Sequence, residues 1–154
     1  MASIQEIQNS IIEDFSFLPE WDERYAYLIE LGQKMEPMPE AYRSEANIVR
    51  GCQSTVWLHR ECQGDKVYFK ADSDSLIVKG LAALLMQVFS GQPAEQVFQA
   101  DLTFFEETGL NKHLSSQRTN GLMAMIEIIQ SFAAKCKNGE VYAITEPLQK
   151  STTT

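Results

Sequence analysis

Apolar residues recur at helical spacing near the start of the chain. Ile4, Ile7, Ile11, Ile12 and Phe15 follow Ser3-Ile4-Gln5-Glu6, which reads as a capping box, so a first helix is predicted over about 3–15. Leu18-Pro19 ends it. A second helix is predicted from Trp21 to about Leu31, with Tyr25, Leu28, Ile29 and Leu31 on its apolar face and Gly32 at the C-terminal cap. From Gln33 to Asn47 the period is lost and Pro37 and Pro39 intervene, which predicts an ordered loop crossing the domain. The pattern then becomes β-like. Val56-Trp57-Leu58 and Val67-Tyr68-Phe69, the latter between Lys66 and Lys70, flank the turn Gln63-Gly64-Asp65 and predict an antiparallel hairpin. Such a hairpin is marginal alone, and Ile48-Val49-Arg50 is the candidate third strand.

Asp72-Ser73-Asp74-Ser75 is rich in N-cap residues and precedes Leu76, Ile77, Val78, Leu81, Leu84, Leu85 and Val88. That helix is apolar over most of its girth and belongs in the core; Ser90-Gly91 closes it. Pro93 opens a short helix over Ala94 to Gln99, and Thr103-Phe104-Phe105-Glu106 reads as a second capping box before Gly109. A last helix is predicted from about Ser116 to Lys135, with a stripe of Leu122, Met125, Ile126, Ile129, Phe132 and Ala133. The expected fold class is α+β, a small antiparallel sheet packed against several helices. The expected division is one domain over residues 1–136 and a polar, flexible tail over 137–154.

The composition, 44% hydrophobic and 22% charged over 154 residues, excludes disorder throughout. Thirteen basic against 21 acidic side chains give a formal net charge of −8, which disfavours nucleic acid and favours partners with basic patches, in a salt-sensitive association. The most apolar stretch, Leu81 to Phe89, is interrupted by Gln87 and is too short for a membrane span, so no membrane association is expected. The start, Met1-Ala2-Ser3-Ile4-Gln5-Glu6, lacks the features of a signal peptide. Three cysteines cannot all pair with one another, which fits a reducing compartment; a cytoplasmic location is expected, and an organelle stroma would fit as well.

Cys52 carries the first candidate chemistry. It stands between Gly51 and Gln53, where an irregular segment enters a strand, and the glycine permits a tight turn. Arg50 is close enough in sequence to favour the thiolate. The alternative is a small buried hydrophobe, as free cysteines often are. Cys62 and Cys136 read as structural bystanders without a CxxC partner. His59 and Cys62 are three apart, which on a strand places them on opposite faces, so no metal site is expected. His113 is the conceivable base of a Cys–His hydrolase, although nothing around it marks that role. Arg118, at a helix start where the dipole disfavours a cation, is either held for an anion or thiolate or simply solvated.

Four blocks together resemble the SufE family, the sulfur acceptors of iron–sulfur cluster assembly. They are Arg24–Gly32, then Val49-Arg50-Gly51-Cys52-Gln53-Ser54-Thr55-Val56-Trp57-Leu58, then Asp72–Leu81, and finally His113–Leu122. The resemblance covers roughly Trp21 to Phe132. It implies the SufE/IscU-like fold. It implies that Cys52 takes sulfur from a pyridoxal-phosphate cysteine desulfurase of the SufS type, stimulates that enzyme, and passes the sulfur to a SufBCD-type scaffold. The chain would then be an accessory protein rather than an enzyme, with no cofactor or metal of its own. Gly51, Gln53 and Ser54 would shape the loop. Asp74 and Arg118 would lie near the cysteine or the desulfurase interface, although Asp74 also suits a helix cap. The alternatives are an IscU-like metal or cluster scaffold and an acceptor for a CsdA-type desulfurase.

Overall fold

The computed structural model describes residues 2–139. Helix α1 (Ile4–Ser16) starts at the expected capping box: Glu6 N donates to Ser3 Oγ at 3.1 Å, and Ser3 N donates to Glu6 Oε1 at 2.8 Å. Its buried face is Ile4, Gln8, Ile11 and Phe15. Helix α2 (Trp21–Lys34) continues past Gly32, which is an interior residue and not the cap. The reason is packing. A Cβ on Gly32 would lie 2.9 Å from Gly80 N, and one on Gly80 would lie 2.2 Å from Leu28 O. Helices α2 and α3 (Leu76–Phe89) thus touch backbone to backbone at two glycines. The loop that follows α2 is ordered, as expected, and holds two 3-10 turns, Glu40–Tyr42 and Glu45–Asn47.

Strands β1 (Val56–Gln63) and β2 (Lys66–Ser73) form an antiparallel pair, in register from Val56 opposite Ser73 to Gln63 opposite Lys66. The turn is Gly64-Asp65, with Gly64 at φ +63°. Ile48-Val49-Arg50 is not a third strand. Ile48 makes a single bridge to Trp57 and Val49 N donates to Val56 O at 2.9 Å, after which the chain turns away at Gly51. The other sheet edge is met by the segment after α3: Val67 N donates to Gln92 O at 3.0 Å, and Gly91 N to Val67 O at 2.7 Å.

Helix α3 is the central element, burying Val78, Leu81, Leu84, Leu85, Val88 and Phe89 among other residues. Its N-cap is Ser75, whose Oγ accepts from Val78 N. Asp72 stays in the strand. Its carboxylate accepts from Arg43 on one oxygen and lies 3.2 Å from Lys79 Nζ on the other, which pins the ordered loop and α3 to the hairpin. Helix α4 (Ala94–Gln99) begins after Pro93. The short helices α5 (Phe104–Glu107) and α6 (Leu110–His113) flank Gly109, at φ +82°. The capping box expected at Thr103 does not form. Thr103 is in the helical region, and the buried Gln8 side chain takes over: its Oε1 accepts from Thr103 N at 2.7 Å and Phe104 N at 3.1 Å.

Helix α7 (Ser116–Lys137) packs against α4, α3 and β1 through Leu122, Met125, Ile129, Phe132 and Ala133. Cys62 and Cys136 are not bystanders. They form a disulfide with Cα atoms 6.0 Å apart, joining the turn end of β1 to the last turn of α7, so the cysteine count no longer argues for a reducing compartment. Their sequence separation of 74 explains why spacing shows no pair. Of the expected tail, residues 140–154 lie outside the described residues. No helix among those described is long and apolar enough to cross a membrane.

Candidate functional site

The segment before β1 is shaped by backbone bonds at both ends. Ile48 and Val49 tie its start to β1, and Gly51 then turns the chain at φ +92°, a conformation that strains any residue carrying a Cβ. At its end, Thr55 N donates to Asp74 Oδ1 at 3.1 Å, Asp74 N donates back to Thr55 O at 3.3 Å, and Ser73 Oγ donates to the same carbonyl at 2.9 Å. Asp74 is therefore a clamp on the base of the loop and does not cap α3.

Cys52 stands on this loop, half-buried, and is the free cysteine of the chain. It opens onto a cavity of about 340 Å³. Gln53 and Ser54 of the loop line one side, Ser75 and Val78 of α3 the second, and Ser115, Gln117, Arg118 and Gly121 of α7 the third. Helix α7 starts at the cavity with an N-cap in which Ser115 Oγ accepts from Arg118 N at 3.3 Å. Gly121 is buried, and a Cβ there would meet Cys52 Sγ at 3.2 Å. The thiol thus rests against helix backbone.

Burial pushes the Cys52 thiol above its usual pKa, so at neutral pH the resting group is protonated. Arg50, the cation adjacent in sequence, does not supply the expected help. It is exposed and its Nη2 lies 3.4 Å from Glu45 Oε2. The arginine at the cavity is Arg118, an exposed side chain that pairs with no carboxylate among the described residues. The structure thus brings together Cys52, Gln53, Ser54 and Arg118 at one cavity, with Gly51 and Asp74 holding the loop.

His113 is placed elsewhere. Its ring stacks on Trp21 with centroids 3.8 Å apart, its carbonyl accepts from the Tyr25 hydroxyl, and it does not line the cavity. His59 is buried in a stack on Tyr42, 3.7 Å between centroids, with Nε2 2.9 Å from Glu61 Oε1. Among the described residues, no three His, Cys, Asp or Glu side chains gather as a metal site would require. Sequence reasoning did not place Gly121, Ser115, Gln117, Ser75 or Val78 at the site. A glycine inside a long helix, which costs about 1 kcal/mol relative to alanine, was the available signal for the first.

Comparison with known proteins agrees with this architecture. A solution structure of a hypothetical protein from Thermus thermophilus superposes with a TM-score of 0.71 at 26% identity, over 86% of this chain and 96% of that one. An uncharacterized SufE-like protein of Rhizobium meliloti (strain 1021) is 46% identical over 130 residues, 81% of this chain and 93% of its own length. A second, from Rhizobium etli, is 41% identical over 138 residues, 86% of this chain and 90% of its own. The model of the SufE family, described as an Fe-S metabolism associated domain, matches residues 9–133, and with these relatives it places the chain in the SufE family.

Proposed function

We propose that this protein is a sulfur carrier of iron–sulfur cluster assembly, with Cys52 as the acceptor. The observation that supports this reading is a free thiol on a glycine-turned loop, half-sheltered in an open cavity beside an arginine, in a chain of this family. The donor is a pyridoxal-phosphate cysteine desulfurase of the SufS type, which holds the cofactor. The recipient is a SufBCD-type scaffold, and the exchange takes place in the cytoplasm.

The transfer is thiol exchange at sulfur. Cys52 gives up its proton, and the thiolate attacks the outer sulfur of the desulfurase persulfide. A bond forms from Cys52 Sγ to that sulfur. The sulfur–sulfur bond of the donor breaks, and the donor cysteine leaves as a thiolate that can take up a proton. The raised thiol pKa keeps most of Cys52 protonated at neutral pH. Arg118 is the cation of this cavity that would favour the thiolate and then the persulfide anion. Asp74, through Thr55, sets the position of the loop. Clearing the persulfide returns the desulfurase to its cycle, so the chain acts as an activator without being an enzyme itself.

Acceptance from a CsdA-type desulfurase would use the same geometry. A cluster scaffold would need further ligands beside Cys52, and the other two cysteines are bonded to each other at the far end of β1, about 20 Å along the strand. The test is incubation with a SufS-type desulfurase and cysteine, followed by intact mass under non-reducing conditions. The expected product carries one added sulfur atom, absent in Cys52→Ser, and desulfurase turnover rises with the wild-type protein. Unchanged turnover and an unmodified Cys52 would refute the reading.

A further inference from the structure

The seam between β1 and α7 holds a second cavity, also of about 340 Å³ and sharing no residue with the one at Cys52. Glu127, Ser131 and Lys135 recur every four residues along α7 and form one ridge beside it, while Ile128 and Phe132 form the next. Arg60 reaches the cavity from β1. Its Nη2 donates to Ala46 O at 3.3 Å, but its Nε is buried with no hydrogen-bond partner. Among the described residues no carboxylate lies within ion-pair distance of Arg60 or Lys135, although Glu127 lines the same cavity. Burial acts alone on the Arg60 guanidinium and lowers its pKa, yet an arginine remains charged.

A partly buried cation without a counter-ion is costly, and an anion in the adjoining space would offset that cost through the field of the guanidinium as a whole, the buried Nε being out of direct reach. The volume falls within the roughly 300–1,000 Å³ common for small-molecule sites. Apolar Ile128 and Phe132 suit a ligand with an apolar body. The negative charge of Glu127 beside the same space disfavours a dianion. We propose that this cavity binds a small organic monocarboxylate, with its charge on Arg60, aided by Lys135 and Ser131, and its apolar part on Ile128 and Phe132. This does not rest on the sulfur-transfer reading, since no residue is shared with that site.

The full-length protein can be titrated with sodium isovalerate at constant ionic strength, with sodium phosphate and sodium chloride in parallel, and followed by NMR of the arginine Nε–H and backbone amide resonances. Saturable shifts are expected at the Arg60 Nε–H and at α7 amides between Ile128 and Lys135. Affinity should fall about tenfold or more in Arg60→Met, which keeps an apolar stem, and about threefold in Lys135→Met. Shifts that match those of chloride, phosphate binding as well as isovalerate, or unchanged affinity in Arg60→Met would overturn the proposal. If Arg60→Met does not fold, Lys135→Met at its exposed position decides, and an unchanged affinity there overturns it.

Discussion

Gly121 of α7 lies against the thiol of Cys52, so closely that a Cβ at position 121 would stand 3.2 Å from Cys52 Sγ. The contact couples the only glycine of the α7 sequence to the only free cysteine of the chain. It defines how near the sulfur can rest to the helix.

Gly121→Ala separates helix stability from site geometry. Alanine is favoured over glycine inside a helix by about 1 kcal/mol, so the melting temperature should hold or rise unless the tight contact offsets the gain. The loop must nonetheless give by a few tenths of an ångström, and the pocket for a sulfur beyond Sγ shrinks. Sulfur loading of Cys52, followed by intact mass against time, should slow severalfold. Gly121→Val should stop it. Loading at the wild-type rate in both variants would show that Cys52 reacts away from α7.

The burial of Cys52 sets a pH dependence. A raised thiol pKa predicts slower alkylation by iodoacetamide at pH 7 than for free cysteine, with the rate still climbing above about pH 8.5, where a free thiol is half ionised. The same shift contributes to stability with a definite sign. The native state holds this proton more tightly than the unfolded chain, so the contribution is complete below the ordinary thiol pKa and is lost as pH rises through the raised one. Comparing urea midpoints of wild type and Cys52→Ser between pH 7 and pH 10 reads it: the wild type should lose ground with rising pH.

Asp72 behaves in the opposite sense. Burial opposes its charge, but hydrogen bonds from Arg43, from Ser73 N and from Lys79 outweigh that and hold its carboxyl below the usual range. The stabilisation is therefore present above the ordinary aspartate pKa near ~3.9 and is lost as pH falls through the depressed value. Because the Arg43 side chain is partly exposed, Asp72→Asn should lower the denaturant midpoint at pH 7, by less than the loss of a fully buried pair would. Denaturant midpoints should stay apart at about pH 4 and converge only as pH falls through the depressed value.

The Cys62–Cys136 bond closes a loop with a sequence separation of 74. Constraining the unfolded chain over that length is worth up to about 4.5 kcal/mol in a chain-entropy account. Cys136→Ser, or reduction, should lower the melting temperature accordingly. Thiol titration should find Cys52 alone reactive in the native protein and all three cysteines after reduction and unfolding. Three reactive thiols without reductant would show that the pair is open in solution.

Much of the architecture was legible in residue order. The Ser3–Glu6 capping box, the Gly64-Asp65 turn, Pro93 before α4, and the apolar girth of α3 are local signals, each acting within one or two turns of chain. The Gly51-Cys52 turn was likewise local, and the block resemblance identified the family. Cys52 as the candidate site therefore came from residue order.

What stayed hidden joins residues distant in the chain. Gly32 reads as a helix cap because its role depends on Gly80, on another helix. Thr103 reads as its own cap because the true partner of its backbone is Gln8. Cys62 shows no partner within any motif spacing because Cys136 meets it only when α7 lies along β1. The cation at the cavity is also a tertiary matter: Arg50 is two residues from Cys52 but lies against Glu45, while Arg118 lines the cavity from another helix. Residue order alone was enough for most of the helices, the hairpin, the family and the candidate sulfur, because capping, periodicity and turn chemistry act over a few residues, but not for the expected third strand at Ile48–Arg50. Which glycine, which arginine and which serines surround that sulfur was settled by the packed chain, because burial and close approach depend on how the helices meet.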